Sequence, residues 1–311
     1  PHSAQRLGGA IMRNYLKSDF VFELVRAPNA LFGLFLLLSI FTIAILAPLV
    51  APQNPFDPLQ LDLLNSRLPP AWIEEGNEQF LLGTDEQGRD VLSALFYGAR
   101  LSLLVSLASV VFSFTLGVCL GLFAGYFGGW TDKIISRLAD LQLTIPGLLV
   151  AMMLVGVIKT QIPPEIQETA MIYVVILAIG FSDWPKYTRV TRSATQVEAH
   201  EDYVLAARTM GAPVWLILWR HVLPNVLRSN IVVATVGLGI AVMMEATLSF
   251  LGAGVSATTP SLGTLIRSGA NSLFSGEWWT VIFPGIMLLL TVFSINTLGD
   301  WVRDYLNPKL N

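Results

Sequence analysis

Glu245 is the residue with the clearest chemical potential, because it stands inside the apolar run IAVMMEATLSFLG. An ionisable group at membrane depth is unfavourable by about 3 kcal/mol unless partners or water face it. Two roles fit it: a point on a translocation path, or a hydrogen-bonding anchor inside a helix bundle. Other chemistries find less support. His2, His200 and His221 share no metal-ligand spacing, and no metal site is expected. Cys119 is the single cysteine, which excludes a disulfide framework within the chain. No Lys directly follows a Gly, so the phosphate-binding loop G-x-x-x-x-G-K-[ST] is absent, as is the zinc motif H-E-x-x-H. Paired acids or a nucleophile beside a base do not stand out either, and no catalytic residue is expected. Arg137 and Asp140, three residues apart, can meet on one helix face as an ion pair.

The elements that carry these residues belong in a membrane. Hydrophobic residues make up 53% of the chain, charged residues only 13%, and the mean hydropathy is +0.61; soluble domains carry about 25% charged residues. A span needs about 20 mostly apolar residues, and such runs lie near 30–50, 101–125, 134–158, 168–184, 230–251 and 280–299. The first is read as a retained span rather than a signal peptide. Cytoplasmic loops are enriched in Lys and Arg. With the N-terminus inside, the cytoplasmic segments 1–29, 185–229 and 300–311, with the inner end of the third span, hold 14 of the 19 Lys and Arg. Both termini are therefore expected in the cytoplasm. The external loop 51–100 carries eight acids and is long enough to need structure of its own. Thr84 with Gln87 fits a capping box, and Val91, Leu92, Leu95 and Phe96 then form an apolar stripe, which predicts an amphipathic helix at the outer surface.

Gly117, Gly121 and Gly125 recur every four residues along one face of the second span. Such a face lets another backbone approach closely, in helix packing within the chain, at a subunit contact or along a pore. The segment EDYVLAARTMGAPVWLILWRHVLPN at 201–225 is more elaborate than a connection between spans requires. Tyr203, Ala206, Ala207 and Met210 share one face of a short helix. Gly211 can take the left-handed conformation that ends it, and Pro213, after Ala212, suits the first turn of the next. That second helix, about 213–222, carries Trp215, Trp219 and His221 and is expected to stop at Pro224 after Leu223. Arg208 and Arg220 are placed to meet acids on a partner. An amphipathic connection packed on the bundle would show the same pattern.

The sequence A-A-R-T-M-G followed by H-V-L-P resembles the coupling signature of bacterial ABC importer permeases, EAA, three residues, G, nine residues, I-x-LP. Gly211, Leu223 and Pro224 fall at the matching spacing, with Leu205 in place of the Glu and His221 in place of the Ile. The form Y-V-x-A-A-R-x-x-G with R-H-V-L-P-N is similar to the dipeptide and oligopeptide permeases. So are LLGTDEQGRDVLSALFYGARLSL at 81–103, AGYFGGWTDKIISRLADLQLTIP at 124–146 and EATLSFLGAG at 245–254, and the ending at 283–308 resembles the C-type member of that family.

This resemblance implies an all-α polytopic membrane protein with the type I ABC importer permease fold: about six spans, a core over 101–299 and the coupling segment at 185–229. It implies half of a translocation pathway, completed by a B-type permease, in the bacterial inner membrane. Two cytoplasmic ABC ATPase subunits would bind ATP and Mg and dock on 203–224, and this chain would bind no cofactor. An external substrate-binding protein would dock near 51–100 and 252–279, and no nucleic-acid partner is expected. Peptides are the implied cargo; nickel chelates, glutathione or other small solutes are carried by relatives sharing these blocks. An ion-coupled secondary transporter, which would show broken helices in corresponding halves and polar midplane sites, is the alternative of another class.

Overall fold

The computed structural model describes residues 22–55, 57, 61–256, 259 and 261–306. His2, Arg6, Arg13, Lys17 and Lys309 lie outside the described residues. Every regular element among those described is a helix. Besides a helical stretch at 22–26 and the 3-10 turns Leu63–Asn65 and Leu273–Ser275, they are in chain order α1 (Pro28–Val50), α2 (Val91–Phe127), α3 (Gly129–Leu143), α4 (Gly147–Lys159), α5 (Pro164–Glu198), α6 (Asp202–Thr209), α7 (Val214–Ile217), a π turn (Leu218–Val222), α8 (Leu223–Phe250), α9 (Leu262–Ser272) and α10 (Trp279–Leu306). Five helices are long and apolar enough to cross a membrane, or six if the bent pair α3 and α4 makes one span.

The third span, expected at 134–158, is broken: α3 and α4 meet at 93°. Pro146 explains the break, since it has no N–H to donate and pushes its predecessor out of the helical region. The fourth span is far longer than 168–184. It starts with Pro164 in the first turn, where the missing N–H leaves no bond unmade, and it runs through Pro185 to Glu198. Pro185 deprives the Phe181 carbonyl of its helical donor. The side chain of Gln142, next to the break in the third span, fills that vacancy: Nε2 donates to Phe181 O at 2.5 Å, while Oε1 accepts from Trp184 Nε1 at 2.8 Å.

The amphipathic surface helix expected before residue 101 is not separate. Val91, Leu92, Leu95 and Phe96 are the first turns of α2, with nothing after them to end a helix. The cap is Asp90, not Thr84: Asp90 Oδ2 accepts from Ser93 N at 2.9 Å and Ser93 Oγ at 2.5 Å. Thr84 instead pairs with Asp90 in an isolated bridge and accepts from Leu68 N through its hydroxyl at 2.8 Å. Asp85 closes the loop by accepting from Gln87 N, Arg89 N and Arg89 Nε. The G-T-D-x-x-G-R-D block is thus a self-bonded loop that seats the start of α2, and Trp279 Nε1 ties α10 to it through Thr84 O at 3.0 Å.

Close packing of α2 on α5 forms the centre of the bundle. A Cβ on Gly117 would lie 2.5 Å from Tyr187 Cβ, and one on Gly125 2.6 Å from Thr195 Cβ, while Gly121 faces Thr191. The glycine face therefore packs within the chain, each glycine opposed by a residue one turn further along α5. Thr188 Oγ1 donates to Gly117 O at 3.1 Å, and Thr191 Oγ1 donates to Asn230 of α8 at 3.1 Å. Arg137 and Asp140 do not pair. Asp140 reaches Arg189 on α5 at 2.6 Å, and Asp132, about two turns earlier on α3, holds Arg192 through Nη2 at 2.6 Å. These two pairs, 132 to 192 and 140 to 189, run antiparallel and join the broken span to α5.

Candidate coupling surface

At the end of the bundle where α2 finishes, α6 and α7 form a bent segment between α5 and α8. Its turn is a Schellman motif: Gly211 has φ +77°, its N–H donates to Arg208 O at 3.0 Å, and Ala212 N–H donates to Ala207 O at 3.1 Å. Pro213 is the residue before α7, with extended backbone. Val204 and Ala207 of α6 are buried with Ile217, Val222 and Val226, against Val118 and Leu122 of α2. Tyr203, Ala206 and Met210 point outward, Met210 at 80% exposure, and Trp215 (64%) and Trp219 (61%) of the following turns are also exposed. The predicted stripe is thus divided: three of its members are exposed, while Ala207, at its edge, faces in.

Pro224 does not stop the second helix. The backbone stays helical from Val214 to Phe250, because the turn Leu218–Val222 widens to π geometry and Leu223 N–H donates to Leu218 O, five residues back. Pro224 has no N–H for the Arg220 carbonyl, and a wider turn accommodates that gap within a continuous helix.

A polar clasp closes the segment. The Tyr203 hydroxyl bonds Glu198 at the end of α5, and Asn225 Nδ2 donates to the Tyr203 hydroxyl at 2.8 Å, to Glu198 Oε2 at 3.2 Å and to His221 O at 3.4 Å. The Tyr203 and His221 rings stack at 6.4 Å. Burial, assisted by the Glu198 carboxylate, pushes the Tyr203 phenol above its usual range. Glu198 and Asn225 were not singled out from sequence; Asn225 ends the R-H-V-L-P-N block, and Glu198 gives no local signal. Arg208 is exposed and its guanidinium lies over the Tyr126 ring, 4.6 Å from its centroid. Arg220, on the π turn, is exposed.

Glu245 lies far from this segment, near the other end of α8, and is fully buried. Its Oε1 accepts from Ser249 Oγ at 2.7 Å, and the hydroxyls of Ser102 on α2 and Ser261 beside α9 also face the carboxyl. The same Ser102 Oγ accepts from Leu262 N at 3.1 Å, fastening α9 to α2. Among the described residues no group of His, Cys, Asp and Glu is arranged to hold a metal ion.

Comparison with known proteins agrees with this architecture. Residues 117–311 match the family model "Binding-protein-dependent transport system inner membrane component", and residues 16–70 match "N-terminal TM domain of oligopeptide transport permease C". The chain is 42% identical over 282 residues to the di/tripeptide transport system permease protein DppC of Pseudomonas aeruginosa, covering 91% of this chain and 88% of that protein. It is 44% identical to the dipeptide transport system permease protein DppC of Escherichia coli K12, covering 92% and 90%. Identity to the glutathione transport system permease protein GsiD of Pectobacterium atrosepticum is 34%, covering 89% and 86%. Among solved structures, an inward-facing MetNI methionine ABC transporter aligns with a TM-score of 0.53 at 21% identity, over 69% of this chain and 96% of the matched one, a likeness of fold. With its helical bundle, bent segment and these relatives together, the chain belongs to the inner membrane components of binding-protein-dependent transport systems, in the C-type dipeptide and oligopeptide permease family.

Proposed function

We propose that this chain is the permease subunit of an ATP-driven importer for dipeptides and short oligopeptides in the bacterial inner membrane, with both termini in the cytoplasm. A B-type permease supplies the other half of the pathway, two cytoplasmic ATPase subunits supply ATP and Mg²⁺ chemistry, and an external binding protein delivers cargo. The carrying observation is the bent segment 203–224, which presents Met210, Trp215 and Trp219 to solvent on a glycine elbow. A chain without a phosphate-binding loop needs such a surface to receive work from another subunit. The excess of Lys and Arg on the segments at that end supports its cytoplasmic placement.

In this reading, closure of the ATPase dimer displaces α6 and α7. The clasp of Glu198, Tyr203 and Asn225 passes the displacement to α5 and α8 together, because it bonds both. Similarity to the di/tripeptide and dipeptide permeases at 42% and 44% identity supports peptide cargo, and the glutathione permease at 34% identity supports glutathione as a second reading of the same architecture. The test is reconstitution of the chain with its B-type permease, ATPase subunits and binding protein in vesicles. Uptake of a labelled dipeptide should require ATP and all components; uptake by this chain alone, driven by an ion gradient, would refute the assignment.

A further inference from the structure

At the end of the bundle opposite the coupling segment, a cavity of about 560 Å³ opens between the start of α5, the end of α8 and α9. Its volume is that of a small-molecule pocket, commonly about 300–1,000 Å³. Lys159, Arg267 and Glu168 all line it, above the buried Met171 and Val255. Two other cations of this end are held in ion pairs. Arg67 pairs with Glu277 at 3.2 Å and with Glu86 at 3.5 Å, and Arg89 pairs with Asp85 at 2.7 Å. Among the described residues, no ion pair holds Lys159, Arg267 or Glu168.

Arg267 is also seated. Its guanidinium lies against Gly252, which has φ +81°, and any side chain there would occupy the same space. The helix that carries Arg267 is fixed by the Ser261 and Thr264 capping box and by the bond from Leu262 N to Ser102 Oγ. Two cations and one carboxylate around one small cavity complement a zwitterion with a carboxylate at one end and an ammonium at the other.

We propose that this cavity is a subsite for short peptides with free termini, in which Lys159 and Arg267 receive the α-carboxylate and Glu168 the α-ammonium. The proposal rests on the peptide-importer reading above. Cargo released at this end meets the subsite before it moves along the bundle.

The experiment measures uptake by the complete reconstituted complex at saturating, cargo-loaded binding protein, for a dipeptide and for its C-terminal amide. Wild type is expected to favour the free acid. In the double variant Lys159→Gln/Arg267→Gln the free-acid rate should fall about tenfold and the preference over the amide should approach one. Lys159→Arg/Arg267→Lys, which keeps both charges, should restore the preference and so separates charge from folding. An unchanged preference in the double variant overturns the proposal. So does a loss confined to the binding-protein concentration needed for half-maximal uptake, which would assign the cations to docking of that protein. Absence of peptide uptake by wild type would instead overturn the importer reading itself.

Discussion

Gly211 permits a quantitative test of the elbow. Its φ of +77° lies in the left-handed region, which an ordinary L-residue occupies at about 1–2 kcal/mol, whereas Asn tolerates it better. A Cβ at 211 would meet nothing within 4 Å. The effect of a substitution is therefore confined to the backbone, and side-chain volume as such has nothing to collide with. Two hydrogen bonds depend on the geometry, Gly211 N to Arg208 O and Ala212 N to Ala207 O. Since about 1.4 kcal/mol is a tenfold change in an equilibrium, Gly211→Ala should lower the population of the bent segment about five- to thirtyfold relative to its unwound alternatives. Gly211→Val should be worse, because branching at Cβ makes the left-handed region a true outlier, and Gly211→Asn should be mildest. The assay is cargo-stimulated ATPase activity and uptake in the reconstituted complex, with assembly followed by co-purification of the ATPase subunits. The expected order of coupling is Gly, Asn, Ala, Val. A Val variant as well coupled as wild type refutes the elbow. An Asn variant as impaired as Val refutes the conformational explanation, since it would mean that space and not φ decides.

Other predictions concern the bundle itself. Gly117→Leu should lower the thermal midpoint of the purified complex by forcing α2 from α5, at about 1–3 kcal/mol for overpacking, while Gly156→Leu, where a Cβ meets nothing within 4 Å, should leave it nearly unchanged. Gln142→Leu leaves Phe181 O and Trp184 Nε1 without their partner and should destabilise by about 1–3 kcal/mol, read as a lower midpoint in chemical or thermal unfolding of the complex. Burial, reinforced by Glu86 and Asp85 and opposed by Arg67, raises the Glu277 carboxyl above its usual range. Its contribution is therefore greatest below the unfolded pKa of about 4.3 and diminishes as pH rises toward the folded one. The midpoint of Glu277→Gln relative to wild type should rise from pH 4 upward, and a difference that falls over that range contradicts the assigned shift.

Features set by one residue's own backbone were legible in the sequence. Gly211 ends α6 because few other residues hold that conformation, and the four-residue glycine spacing marks the α2 face whatever packs on it. Prolines were legible as perturbations but not in their outcome. Pro146 breaks the third span, which a hydropathy window reads through, while Pro224, expected to stop a helix, sits in a continuous one because a π turn absorbs the missing N–H. Short-range pairing rules misassigned Asp140, whose partner Arg189 lies 49 residues away. Distances of that kind depend on how two helices cross, which no local pattern encodes. The Glu198 and Asn225 clasp was hidden for the same reason: each residue is ordinary until α5 and α8 are brought side by side.

The π turn has a mechanical meaning. Because the helix from Val214 to Phe250 is unbroken over 37 residues, it is about 55 Å of rod at 1.5 Å per residue, with the exposed tryptophans near one tip and Glu245 near the other. A flexible joint at Pro224 would dissipate a push on Trp215 locally. In the proposed coupling a rod would carry it across the membrane, with the turn Leu218–Val222 as its departure from α geometry.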